Sequence, residues 1–313
     1  YLLSTFFFLV LLWPYLWNAP LDNFLASIDA LKNSIPNIYV FFNNEYIDNN
    51  YLPYSYIPLW ILISTPSLHI ILFFIGAIYL LKRLYVRLIN IEKNKLNKHL
   101  WRGVKEKNDL FILLNFIILF LLVIFLNIRL FNAWKHLYFA NFYIVYLAVI
   151  GLNICCIWSK KLKKKKILTS FLIVMCAFLT FKIVKYHPYQ GLYFNSLVSN
   201  NFKNKFEIDF TALSARHFYD KIFEIENNND TINIANSSWT PLVRTLDIYE
   251  YTKQKKINLV GQDYTIAKYI YSNNISEVDK RYNKKYDIPK DFVKFYEYKI
   301  EGAIIYTIYK KNL

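Results

Sequence analysis

The side chains best suited to chemistry in this sequence are cations grouped beside aromatic residues. Arg129, Lys135 and His136 fall within one stretch, Asn127 to Phe139, that separates two long apolar runs. Arg can grip two phosphate oxygens in a fork, Lys supplies a point charge, and His can donate a hydrogen bond or carry a proton. Lys182, Lys185 and His187 form a second group where the last apolar run ends. Both groups suit a phosphate-bearing lipid, although such side chains can also simply snorkel to headgroups. Tyr54 and Tyr56, in the aromatic and proline-rich stretch Tyr51 to Trp60, are candidate hydroxyl donors, or else members of an aromatic interface belt. Beyond the last apolar run, His187, Asn195, Glu207 and Asp209 are candidates for anchoring the C-terminal region to the membrane face. For Glu207 and Asp209, helix capping and N-terminal charge are an equal alternative.

Other chemistries find little support. Cys155, Cys156 and Cys176 lie inside apolar runs, where cysteine behaves as a small hydrophobe. No Cys/His spacing suggests zinc, no cofactor is evident, and there is no glycine-rich phosphate loop or nucleophile elbow. Asn-x-Ser/Thr triplets at Asn229, Asn236 and Asn274 are expected by chance in so Asn-rich a chain.

The elements that must position these groups are membrane spans. The chain has 313 residues, is 55% hydrophobic and 19% aromatic, and carries a net charge of +16. Repeated uncharged apolar runs of bilayer-spanning length exclude an ordinary soluble domain. About five spans are predicted: 1–17, short and interrupted near its end by Pro14, then 59–81 with a kink at Pro66, 110–126, 139–158 and 167–184. The segments 82–108 and 159–166 are strongly basic and separated by two spans, so they share a side, cytoplasmic by the positive-inside rule. Their charge is read as topology and anionic-lipid contact rather than nucleic-acid binding. The loop 18–58, with Lys32 against Asp22, Asp29, Glu45 and Asp48, then lies outside, as do 127–138 and the C-terminal region. A short surface helix is predicted over 22–32.

From residue 185 no apolar run is long enough to span. A helix over 209–226, a strand over 231–235, a helix over 241–253, a strand over 257–260 and a hairpin about Glu301-Gly302 predict a small α/β domain. The fold class expected is a polytopic α-helical membrane protein, with a transmembrane bundle over 1–184 and an extracytoplasmic α/β domain over 185–313. The chain opens on Tyr1 inside an apolar run, which suggests the C-terminal part of a longer protein.

Three segments carry a family resemblance. Asn132-Ala-Trp-Lys-His-Leu-Tyr-Phe139 resembles the N-G-W-R-H-x-Y-F segment of bacterial membrane glycosyltransferases related to protein O-mannosyltransferases, with Ala133 in place of Gly and Lys135 in place of Arg. Tyr186-His-Pro-Tyr-Gln-Gly-Leu-Tyr-Phe-Asn195 with Phe206-Glu-Ile-Asp-Phe210 is similar to their H-P-Y-Q-x-x-Y-F-N and F-E-x-D-Y segments. Tyr51-Leu-Pro-Tyr-Ser-Tyr-Ile-Pro-Leu-Trp60 with Thr65-Pro66 is similar to their Y-x-P-x-W and T-P segment. The resemblance implies a GT-C type enzyme that moves a sugar from a polyprenyl-phosphate carrier to an acceptor on the external face. With such a reaction, Arg129, Lys135 and His136 are expected near the donor phosphate, and Tyr54 and Tyr56 are candidate hydroxyl donors to it. The resemblance also implies a catalytic Asp in a loop preceding Tyr1, so Asp22, Glu45 and Asp48 are not given that role. A flippase for a lipid-linked sugar, hinted at by Pro66 and Gly76 as helix breaks, and a non-catalytic membrane protein with a partner-binding domain are the alternatives.

Overall fold

The computed structural model describes residues 1–33, 36–90, 100–126, 128–226 and 230–312; Asn127, most of the middle of the basic 82–108 segment and Asn229 fall outside these. Helix α1 (Leu2–Leu12) is followed by α2 (Pro20–Asn33), then by a hairpin of β1 (Tyr39–Phe42) and β2 (Glu45–Asp48). The apolar series is α3 (Tyr56–Ser64), α4 (Ser67–Ile89), α5 (Gly103–Phe125), α6 (Asn141–Lys161) and α7 (Lys165–Lys185).

Among the described residues, four helices are long and apolar enough to cross a membrane: α4, α5, α6 extended by the 3₁₀ turn at Lys135–Ala140, and α7. The first of the five expected spans is only an 11-residue helix. At 1.5 Å per residue it reaches roughly 16 Å, about half of a bilayer core. Pro66 divides the expected 59–81 span instead of bending it. Proline disfavours helical backbone in the residue before it, and Thr65 is extended, so α3 and α4 are separate helices. The basic 82–108 segment is largely helical where it is described. Arg83 and Arg87 of α4 pair with Asp109 at 2.9 Å and Glu106 at 3.1 Å on α5, so these two cations bind a neighbouring helix.

Gly76 breaks nothing. It lies inside continuous α4 against Gly151 of α6, and a Cβ at either position would stand 2.0 Å from a backbone carbonyl oxygen of the opposite helix. Lipid tails give helices little hydrophobic reason to associate, so small residues that allow close backbone approach hold such pairs together.

The C-terminal region begins with α8 (Asn200–Lys203) and α9 (Leu213–Ile225). It continues with β3 (Ile232–Asn236), α10 (Leu242–Leu246), α11 (Tyr251–Gln254), β4 (Ile257–Leu259), β5 (Tyr269–Ser272), β6 (Phe292–Ile300) and β7 (Ala303–Lys311). The sheet order is β4-β3-β5-β7-β6, with β3 parallel to β4 and β5, and β7 antiparallel to β5 and β6. Ala215, Phe218, Tyr219 and Ile222 recur at helical spacing on α9, and Phe218 packs against Tyr271 of β5 and Tyr306 of β7.

Several elements differ from expectation. Helix α9 begins at Leu213 and not at 209, because Asp209 and Ala212 hold left-handed φ of 66° and 56°, and the Asp209 carboxylate accepts the Ser214 N–H at 3.3 Å. The expected 241–253 helix is two short ones, with the Gln254 side chain donating to the Tyr249 carbonyl at 2.7 Å in the intervening turn. β5 and the β1–β2 hairpin are additions to the expected elements. β5 is a short central strand without polar alternation, which periodicity cannot separate from a helix fragment. The hairpin turns on Asn43 and Asn44, with φ of 52° and 71°, a geometry that asparagine tolerates.

That hairpin lies far before residue 185 yet packs on the α/β domain. Tyr39 N–H donates to the Glu277 carbonyl at 3.1 Å, and Glu207 N–H donates to the Phe41 carbonyl at 2.7 Å. One buried cluster runs without interruption from Trp60, Val123 and Ile144 of the helical part to Phe206, Tyr219 and Tyr306 of the domain.

Replacing Gly76 or Gly151 by valine should force α4 and α6 apart. Overpacking of this kind costs roughly 1–3 kcal/mol or more, so a lower thermal midpoint and loss of the monodisperse detergent-solubilised peak are expected. Val149→Leu, on an exposed α6 position, should change neither.

Candidate functional site

The segment between α5 and α6 is shaped by two successive left-handed residues, Asn132 at φ 56° and Ala133 at φ 60°. This turn brings the Asn132 N–H to within 3.0 Å of Glu207 Oε1, while the Phe41 N–H reaches Oε2 at 3.4 Å. Glu207 is 3% exposed, so its carboxylate stands in for solvent at two backbone donors that would otherwise be buried unpaired. Next in sequence, the Trp134 indole N–H donates to Ser64 Oγ at 2.9 Å, and Ser64 Oγ donates to the Trp60 carbonyl at 2.6 Å. The turn is thereby bonded to α3 as well as to the domain.

Asn195 makes a second tie. Its backbone N–H donates to the Ile63 carbonyl at 2.8 Å, and its side-chain amide donates to the carbonyls of Leu62 and Thr65. These are carbonyls that the end of α3 leaves without helical partners. A third tie lies at the end of α7. Glu301, in the β6–β7 turn, pairs with Lys182, with Lys185 at 3.0 Å and with Lys203 at 4.0 Å, and it accepts the Tyr186 hydroxyl at 2.9 Å. Burial raises the Glu301 carboxyl, but bonds from Lys182, Lys185 and Tyr186 outweigh it and hold the pKa at about 2.

Between the first two ties opens a cleft of about 350 Å³, walled by Trp60, Ser64, Asn132, Trp134, Lys135, Tyr138 and the segment 190–194. Lys135 stands over the Phe131 ring with Nζ 4.5 Å from its centroid. Trp60 and Tyr193 contribute wall, with their polar atoms buried; the indole N–H of Trp60 is directed at the Tyr56 hydroxyl. An ammonium in an aromatic-walled cleft at the helix ends suits an anionic oxygen group.

The structure gathers few of the expected phosphate contacts. Lys135 lines the cleft. His136 is exposed, packs on Phe131 at 4.8 Å between ring centroids, and does not line it. Arg129 is half-buried and also lies outside its walls. Tyr54 is exposed and borders a different, smaller crevice. Tyr56 is 1% exposed at the start of α3, facing inward with its hydroxyl near Glu207 and without a well-formed bond, so it cannot reach a ligand in the cleft. Lys182 and Lys185, grouped in the sequence as headgroup cations, are taken up by Glu301. Of the anchoring candidates, Asn195 and Glu207 make the ties described above. Asp209 caps α9 through Ser214, and His187 is exposed with Nδ1 2.9 Å from Gln190. Trp60 and Tyr193 are cleft residues that sequence reasoning does not single out. Each falls within a motif already noted, but an indole or a phenol in an aromatic-rich chain carries no separate signal.

Burial pushes the Glu207 carboxyl up from 4.5 to about 7, against the donors of Asn132, Phe41 and Ala133 and the charge of Lys135; it likewise pushes Asp209 up from 3.8 to about 7, against Ser214. The native state therefore binds more protons than the unfolded chain between about pH 4 and about pH 7. The stability these groups contribute is full below that window and lost as pH rises through it. Comparison with known proteins returned no matching family model, no matching curated protein and no matching solved structure.

The full-length protein in detergent should lose thermal stability as pH rises from about 5 to about 8, and Glu207→Gln should flatten that slope, as read by scanning fluorimetry. An unchanged slope in the variant would place the titration elsewhere.

Proposed function

We propose that this chain is the donor-binding, C-terminal part of an integral-membrane glycosyltransferase of the GT-C type. It would take a sugar from a polyprenyl-phosphate carrier and pass it to an acceptor on the extracytoplasmic side. The observation that carries the reading is the cleft at the helix ends, where Lys135 stands among the aromatic walls of Trp60, Trp134, Tyr138 and Tyr193 beside apolar spans. The motif resemblance adds to it. Ala133 holds the left-handed backbone that glycine favours, and glycine is the residue the resembling segment has at that position.

In the reaction proposed, an acceptor hydroxyl oxygen attacks the anomeric carbon of the carrier-linked sugar. A carboxylate, placed by the resemblance before Tyr1, takes the hydroxyl proton. The bond from the anomeric carbon to the phosphate oxygen breaks, and the lipid phosphate departs with the electron pair. Negative charge grows on that phosphate, so a cation and neutral donors held beside it stabilise the transition state more than the ground state. Lys135 supplies the cation, and Tyr193 is the candidate neutral donor. Glu207, bonded to the Asn132 turn of the cleft wall, opposes the anion when ionised and not when protonated.

In proteoliposomes of the full-length protein supplied with a polyprenyl-phosphate sugar, Lys135→Ala should lower transfer by about tenfold or more. Lys135→Arg should preserve it, because a guanidinium grips phosphate at least as well. Tyr193→Phe should give a smaller loss. Transfer by Lys135→Ala at the wild-type rate, with insertion intact, would sink the site.

A further inference from the structure

A second cleft, of about 320 Å³, opens where the chain leaves the carboxyl ends of β3 and β5. β3 lies between β4 and β5, and the chain passes first to one side of it and then to the other. In open parallel sheets this divergence of connections leaves a crevice at the carboxyl ends, the usual place for a ligand. Trp239, Thr240 and Arg244 come after β3, Ile275 comes after β5, and Asp209 and Asn132 complete the wall.

The loop that carries Trp239 is held firmly. Asn236 Oδ1 accepts the Ser238 N–H at 3.0 Å, and Asn236 Nδ2 donates to the Thr240 carbonyl at 2.7 Å. Thr240 Oγ1 accepts from Asn273 Nδ2 at 2.8 Å, and the Trp239 N–H donates to the Ile275 carbonyl at 3.0 Å. Yet the Trp239 side chain, on this fixed backbone, is 43% exposed. Arg244 is also exposed, and among the described residues its side chain makes no hydrogen bond or ion pair. A large apolar ring left in water on a rigid loop, beside an uncommitted guanidinium and two buried oxygen-bearing side chains, is a prearranged recognition surface.

We propose that this cleft binds a saccharide. The Trp239 ring stacks on the apolar face of a pyranose, and Arg244 pairs with an acidic or hydroxyl substituent. Thr240, whose hydroxyl is bonded to Asn273 and Tyr271, fixes the floor of the cleft, and Asp209 accepts from a sugar hydroxyl. The cleft shares Asn132 and Phe210 with the Lys135 cleft, so a sugar held here is next to the phosphate site. Its role as acceptor rests on the transfer reaction proposed above, whereas its binding does not.

The test uses full-length protein in nanodiscs and the methyl glycosides of glucose, mannose, N-acetylglucosamine and glucuronic acid, read by saturation-transfer difference NMR with titration. Saturable binding of at least one is expected. Trp239→Ala should weaken it by about tenfold, given the usual worth of a ring contact, and Trp239→Tyr should restore most of it. Arg244→Ala should weaken the glucuronide more than the neutral glycosides. Lys135→Ala should leave saccharide binding intact, which separates this proposal from the donor-phosphate reading. Absence of saturable binding for all four glycosides, or wild-type affinity in Trp239→Ala, overturns the proposal. Equal losses for acidic and neutral glycosides in Arg244→Ala overturn the role given to that residue.

Discussion

The buried carboxylate of Glu207 holds together pieces of chain that sequence separates widely. It sits under the left-handed turn at Asn132 and Ala133, and it reaches the hairpin strand at Phe41. A backbone N–H in a buried turn needs an acceptor, and no regular element supplies one there. A single carboxylate with several lone pairs meets that need for two segments at once. The wall of the Lys135 cleft depends on this arrangement, because the same turn carries Trp134 and Lys135 to the end of α3. The cost is a carboxyl group taken out of water, which is why its proton affinity rises.

Asn195 and Glu301 extend the same logic to the other helix ends. Where Pro66 stops α3, three carbonyls lose their helical partners, and Asn195 meets them with its backbone and its amide. Where α7 ends, two lysines meet the Glu301 turn, and Gly302 fits there because a Cβ would strike Asn200. Each tie joins an apolar helix to the α/β domain through polar groups that the helix end itself leaves unsatisfied. The helical part and the domain therefore share one buried cluster, and the clefts at their junction have rigid walls on both sides.

Much of the architecture was legible in the chain. Apolar runs long enough to span and a tight turn at Glu301-Gly302 come from local rules of length and turn residues, whereas Pro66, expected to kink one span, ends a helix there. The motif segments led to Lys135 and to the neighbourhood of Asn195 and Glu207. What local rules misjudged was grouping. Arg129, Lys135 and His136 are near neighbours in sequence, yet the successive left-handed residues between Leu130 and Trp134 redirect the chain, and only Lys135 lines the cleft. Lys182 and Lys185 looked like headgroup cations, because nothing in the sequence pairs them with a glutamate more than a hundred residues later.

By itself, then, the sequence determined where helices of bilayer-spanning length lie and where the chain must turn, since those depend on hydropathy, proline and residues tolerant of positive φ within short windows. Only the tertiary structure decided which charges are neutralised inside the protein and which remain exposed. It also decided that a hairpin near residue 40 belongs with a sheet formed after residue 230, and that two clefts meet at Asn132. These are matters of long-range pairing, in which each buried donor or charge takes whichever partner the packed chain brings within reach, and no local pattern records that choice.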